Sequence, residues 1–251
     1  MRATIPMTRL VDVEVRKMLD TRAGAWLLIS VALVAALVVG AVTVWGRDDE
    51  VTFASFTRMI AFPMQLVLPM VAVLAVTSEW NQRSALTTFA LVPRRGRVVV
   101  AKGVAAVTVA LLAGAVELVA AAGGTVAASA FRGISPVWDL TLEQTGRAVL
   151  LNVVALAVGF GFAVLIRASA PALVAYLGFM LVLPSLSGLV ASLAPWWAAH
   201  GTWLDLSLAM SMLTAPDVTG EQWAQLGTAS LVWIGVPLVV GMRRLLRAEI
   251  R

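Results

Sequence analysis

The sequence predicts an all-α integral membrane fold of six transmembrane helices, with the N- and C-termini both cytoplasmic. Three observations predict it. First, 60% of residues are hydrophobic and only 13% are charged, about half of the roughly 25% charged share of a water-soluble domain. Second, six segments, at about 24–45, 58–78, 98–122, 147–166, 171–194 and 226–242, are apolar over close to the roughly 20 residues that cross a hydrocarbon core about 30 Å thick. They take up about half the chain, so residues 1–251 read as one transmembrane domain with no separate soluble part. Third, of the 19 Lys and Arg residues only Arg47, Arg58, Arg132 and Arg147 fall on the outer side, whereas Asp48, Asp49, Glu50, Asp139, Glu143, Asp205, Asp217 and Glu221 all do. A basic excess on one side marks the cytoplasmic face.

The same partition bears on the net charge of +5. The cations lie along a membrane face, and so point to anionic headgroups rather than to nucleic acid. The chain has no cysteine, which excludes disulfides and thiolate metal sites. A cleaved signal peptide does not fit, because the first apolar run is about 20 residues long and follows more than 20 polar or amphipathic ones.

Residues 1–23 hold an amphipathic helix. Met7, Leu10, Val11, Val15, Met18 and Leu19 recur at helical spacing, with Arg9, Asp12, Arg16, Lys17 and Asp20 on the other side. It reads either as an interfacial anchor or as a helix whose Glu14, Arg16 and Lys17 also touch a cytoplasmic partner. The first span carries Ala32, Ala36 and Gly40 on one face, a candidate dimer seam or an ordinary packing face within the chain. Pro63 and Pro69 bend the second span, as a hinge or as a static kink, and neighbouring groups must satisfy the carbonyls they free. In the third span Glu117 lies about 22 Å beyond Lys102, near the outer edge of the hydrocarbon. It is either a hydrogen-bonded interfacial carboxyl or part of a pathway. Spans four and five are joined by Arg167-Ala-Ser-Ala170 and must be antiparallel neighbours, with Pro171 starting the fifth, Pro184 interrupting it and Pro195 ending it. Residues 195–225 form the long outer segment. Its apolar stretch Leu204–Leu213 is too short to cross and reads as re-entrant or interfacial, flanked by Trp196, Trp197, Trp203 and Trp223. The sixth span ends at Arg243, Arg244 and Arg247, a basic anchor.

Several chemistries are missing. Neither lysine, Lys17 or Lys102, sits in a phosphate-cradling glycine loop. His200 is the single histidine, so histidine-pair metal sites are excluded and it reads as a loop residue. A Ser–His protease would have to recruit Ser185 or Ser187 across Pro195. No catalytic residues are expected, and no metal or cofactor is expected in this chain.

Between spans two and three lies the segment 79–97. It offers Trp80, Ala85, Leu86 and Phe89 for insertion, Glu79 and Arg83 for charged contacts, a turn at Pro93, and the cations Arg94, Arg95 and Arg97. This is the composition of a short docking helix, or of a lipid-bound surface loop. Glu79, Ser84, the Leu86-Thr-Thr88 run, Leu91, Pro93-Arg-Arg95 and Lys102 resemble the loop between the second and third spans of type-2 ABC transporter permeases. Members of that family tend to show an acidic residue, a Gly-Thr pair, a leucine run, Pro with a basic pair, and a Lys opening the third span. Ser84-Ala85 stands where the pair would be. The likeness extends to Glu14-Val-Arg-Lys17, the span count, the outer segment and the basic tail, and so covers nearly the whole chain.

The resemblance implies a permease subunit of an ABC exporter in a bacterial cell (inner, or plasma) membrane, not itself an enzyme. A second permease half, identical or homologous, and two copies of a separate ABC ATPase would complete it, with ATP and Mg bound by the ATPase. The coupling helix, Glu79 to about Ala90, would ride in an ATPase cleft, with Glu79, Trp80, Arg83, Leu86, Phe89, Pro93, Arg94 and Arg95 as its contacts. The apolar bundle suits an amphipathic or hydrophobic cargo: a drug, a lipid or a peptide. The alternative expectation is a non-transporting membrane subunit that recruits an ATPase for resistance or signalling.

Overall fold

A computed structural model of the chain describes residues 6–19, 22–81 and 95–247. Among them every regular element is helical: α1 (Met7–Leu19), α2 (Arg22–Trp45), α3 (Phe53–Asn81), α4 (Arg95–Arg132), α5 (Leu142–Ile166), α6 (Ser169–Leu193), the short α7 (Pro195–His200) and α8 (Leu206–Met212), and a last helix, α9, from Gly220 to Arg247. Five of these, α3, α4, α5, α6 and α9, are long and apolar enough to cross a membrane. The 24-residue α2 spans about 36 Å. Large apolar side chains cover the outside of the bundle, including Leu33 and Leu37 on α2, Val116 and Val119 on α4, and Leu189 and Leu193 on α6. A water-soluble surface does not tolerate that much contiguous apolar area. The chain therefore has the character of a multi-pass helical membrane protein.

α3 is the central helix and packs on α2, α4, α5 and α6. Its inward row, Phe56, Ile60, Met64, Leu68, Val71 and Val76, forms the main core with Ala105, Ala106, Val109 and Ala110 of α4 and Leu156, Phe160 and Ala163 of α5. A second core lies between α5, α6, α8 and α9, around Val158, Phe162, Tyr176, Leu206 and Leu226. Where α3 crosses α5, a Cβ on Gly159 would lie 2.6 Å from both the Cβ and the carbonyl oxygen of Pro69. Small residues allow such approaches where lipid supplies no hydrophobic drive between helices.

α4 is longer than the third span expected from the sequence. Gly123-Gly124, just beyond the expected bound at about 122, continues the helix, and Gly124 is a crossing point against Val39 of α2. The helix stops instead at Gly133, whose φ of 68° suits glycine. Ile134 N–H donates to the Ser129 carbonyl at 3.0 Å and Gly133 N–H to Ala130 at 3.4 Å, the paired bonds of a Schellman ending.

The prolines act through two different devices. Pro69 cannot donate to the Gln65 carbonyl four residues back. The Tyr176 hydroxyl donates to that oxygen instead, at 2.5 Å, so at this proline the expected compensation is present. Pro184 and Pro237 are each preceded by a π-helical turn, Gly178–Val182 in α6 and Leu231–Gly235 in α9. There Leu183 N–H reaches Gly178 and Val236 N–H reaches Leu231, widening the helix just ahead of the ring. The two turns face each other, with Phe179 and Trp233 rings 5.0 Å apart.

Candidate functional site

The polar residues gather at the two ends of the bundle. At the basic end, the segment 79–97 is framed by the last turns of α3 and the first turns of α4. α3 continues through Glu79 and Trp80 to Asn81, and Arg95 opens α4. Arg83, Leu86, Phe89, Pro93 and Arg94 lie outside the described residues.

The frame itself is well defined. On α1, Val11, Glu14, Val15 and Met18 share one face, and this face packs on α4. Lys102, in the second turn of α4, is buried, and its Nζ lies 2.5 Å from Glu14 Oε2, both side chains being 6% exposed. Lys17 Nζ lies 2.8 Å from the other oxygen of Glu14. Glu14 thus points into the bundle and not outward, whereas Arg16 faces solvent and pairs with Asp12 at 3.3 Å. Two charges removed from water hold together only because each nearly satisfies the other.

Neighbouring contacts fasten the rest of this end. Thr77 Oγ1 of α3 lies 2.6 Å from Ser169 Oγ at the start of α6. Arg167 takes a left-handed conformation (φ 60°, ψ 16°) in the tight α5–α6 turn and donates to the Gly241 carbonyl of α9 at 3.0 Å. Burial, and secondarily the nearby Arg244 charge, holds the Arg167 guanidinium below the ordinary arginine range. The ends of α3, α5 and α9 and the start of α6 are thereby joined, and α1 packs across the start of α4 and touches α3 and α2.

At the acidic end the connections are equally specific. Arg132 closes α4 onto the terminus of α2, donating to the Thr43 carbonyl (3.0 Å) and the Gly46 carbonyl and pairing with Asp48 at 2.7 Å. A cation there satisfies orphan carbonyls and complements the helix dipole. Asp139 accepts from Ala54 N–H at 2.8 Å and so caps α3 from a distant loop. Thr141 with Gln144 and Thr219 with Gln222 form capping boxes that start α5 and α9. In the outer segment, Asp205 caps α8, and Trp197 Nε1 donates to Ser187 Oγ at 2.9 Å. His200 ends α7 and stacks on Trp196.

Glu117 is 1% exposed and sits between helices, with Asn152 Nδ2 of α5 donating to its Oε2 at 2.5 Å. It lines neither the apolar cavity beside α2 nor the partly polar one beside Asp139. Asn152 escapes the sequence reading, although an asparagine inside an apolar span is itself a signal of intramembrane hydrogen bonding. The pair Glu14–Lys102 also escapes it. A lysine seven residues into a membrane helix demands a partner, and that demand was the available clue.

Ala32, Ala36 and Gly40 all face outward, and a Cβ at Gly40 would meet nothing within 4 Å. Ala32 and Ala36 line a lateral cavity of about 990 Å³ between α2, α3 and α4 whose walls are entirely apolar. A second cavity, of about 450 Å³, opens at the acidic end between α3, α5 and residues 213–216, and is partly polar. Among the described residues no group of three or more His, Cys, Asp or Glu side chains is placed to hold a metal ion.

No family model matches the chain, and no curated protein matches it.

Proposed function

We propose that this chain is the membrane permease subunit of an ABC exporter, in which a separate ATPase pushes on segment 79–97. The observation that supports it best is mechanical. The two helices flanking that segment are each fastened to the rest of the same end, α3 through Thr77–Ser169 and α4 through Lys102–Glu14. A push on the segment would therefore reach α4, α1 and α6 together, because packed helices shift as rigid units. The order of Glu79, Leu86-Thr-Thr88, Pro93-Arg-Arg95 and Lys102, resembling the type-2 permease loop, supplies the identity of the pusher.

In this reading α2 is the first of six crossings, and the basic end is cytoplasmic. Residues 195–225 are the outer re-entrant or interfacial segment. The outward stripe Ala32–Ala36–Gly40 and its apolar cavity suit a seam with a second permease half. The cargo is amphipathic or hydrophobic, and the membrane is a bacterial inner membrane. Glu14 and Lys17 contribute by seating α1, which leaves Arg16 as the residue of that trio facing a partner.

Co-expression with the partnering ATPase tests the reading. Trp80→Asp and Glu79→Arg are expected to abolish co-purification of the ATPase while membrane insertion is unchanged. Normal complex yield from both variants would remove the docking assignment. Permease-dependent ATP hydrolysis in vesicles without movement of any amphipathic cargo would favour a recruiting subunit over a transporter.

A further inference from the structure

The cavity of about 450 Å³ at the acidic end has a composition the transport reading does not use. One face of α3 supplies Thr57, Arg58 and Phe62, the loop before α5 supplies Asp139, and Leu151 and Leu213 close the apolar side. Thr57 is only 3% exposed, yet its Oγ1 has no hydrogen-bond partner. A buried hydroxyl without a partner is costly, which marks a place built to meet one. Arg58 forms no ion pair or hydrogen bond among the described residues, although Asp139 lines the same cavity. One oxygen of Asp139 is engaged by Ala54 N–H, and this fixes the carboxylate at the cavity wall.

Two opposite charges that share a cavity without pairing discriminate between ligands. An anion would gain from Arg58 but be repelled by Asp139, and a cation would meet the reverse. A ligand carrying both charges satisfies both walls and can still bond to Thr57. The apolar wall supplies the other half of the recognition. Phe62 lies one helical turn, about 6 Å, further along α3 than Arg58, and Leu151 and Leu213 are almost fully buried. Apolar wall thus lies beside the charged groups, as a chain lies beside its headgroup in a lipid.

We infer that this cavity binds the headgroup and upper chain of a zwitterionic amphiphile, with its phosphate at Arg58 and Thr57 and its cationic group at Asp139. The site does not depend on the ATPase reading, and it is tested on the full chain alone.

Native mass spectrometry of the protein released from maltoside micelles reads occupancy directly. The probes are lysophosphatidylcholine, lysophosphatidic acid, dodecyltrimethylammonium and free phosphocholine at equal concentration. Lysophosphatidylcholine should exceed each of the others by about threefold or more, the scale of a partly screened ion pair. Arg58→Gln and Asp139→Asn should each remove that advantage. Asp139→Asn, whose amide oxygen still accepts from Ala54, should shift preference toward lysophosphatidic acid, and Arg58→Gln toward the cation. Arg47→Gln, an exposed cation outside the cavity, should change nothing. Equal occupancy by lysophosphatidic acid in the unmutated chain overturns the inference, as does an equal loss in Arg47→Gln. Occupancy by free phosphocholine matching that of the lipid would show a headgroup site without a chain site, and overturns it too. If one variant does not elute as a folded protein, the opposite preference shift in the other still decides.

Discussion

Tyr176 is the single tyrosine of the chain, and its hydroxyl has one task that phenylalanine could not perform. Pro69 leaves the Gln65 carbonyl without its helical donor, deep in an apolar bundle, and Tyr176 supplies the missing hydrogen bond at 2.5 Å. Tyr176→Phe keeps the ring and its burial but orphans that oxygen. The expected loss is about 1–3 kcal/mol, measurable as a lowered unfolding midpoint in detergent. An unchanged midpoint would mean that water or another donor reaches Gln65. The same reasoning explains Arg132, which satisfies carbonyls at the end of α2, and Asp139, which satisfies an amide at the start of α3.

Of the helices, α1 depends most on one contact. Its inward face is mostly small or aliphatic, and Glu14 sits in the middle of that face against Lys102. Removing either partner breaks an ion pair in which both side chains are buried; without Lys102, Glu14 keeps only the more exposed Lys17. Glu14→Gln and Lys102→Met are each expected to destabilise the protein by about 3 kcal/mol, read by denaturant titration in micelles. The exchange Glu14→Lys with Lys102→Glu should recover part of the loss, and strictly additive losses would show that the pair is not coupled. The paired π-turns of α6 and α9 are the other notable device. Each absorbs a proline, Pro184 or Pro237, while keeping the helix continuous, so neither proline acts as a break. Helical periodicity does reveal α1, and the length of the apolar runs reveals the long helices; the capping boxes at Thr141 and Thr219 emerge only in the structure. Periodicity does not reveal the far end of α4, because Gly123-Gly124 resembles a stop until its packing against α2 is known.

Seen as a single body, the bundle has opposite characters at its two ends. Lys102, Arg167 and Gly241 mark one, and Asp48, Asp139 and Glu143 mark the other. α1 lies at the basic end, and α9 reaches it at Gly241. An even number of crossings would place both termini on one side. The chain has no cysteine, so single cysteines can be introduced without background. A cysteine replacing Asp217 should react with an impermeant maleimide from outside intact cells, and one replacing Arg9 or Arg247 only after lysis. Reaction of Arg9→Cys and Arg247→Cys from opposite sides would refute the six-crossing topology.

Composition, spacing and charge order suffice to make this an all-helical protein of a membrane, because those properties depend on how each stretch meets its solvent. They also single out segment 79–97 through its local chemistry. They do not reveal that Glu14 turns inward to Lys102, that Asn152 meets Glu117, or that Tyr176 bonds the Gln65 carbonyl freed by Pro69. Those partners stand 88, 35 and 111 residues apart. Local pattern has no reach over such separations, and only the folding of helices against one another brings the groups within bonding distance.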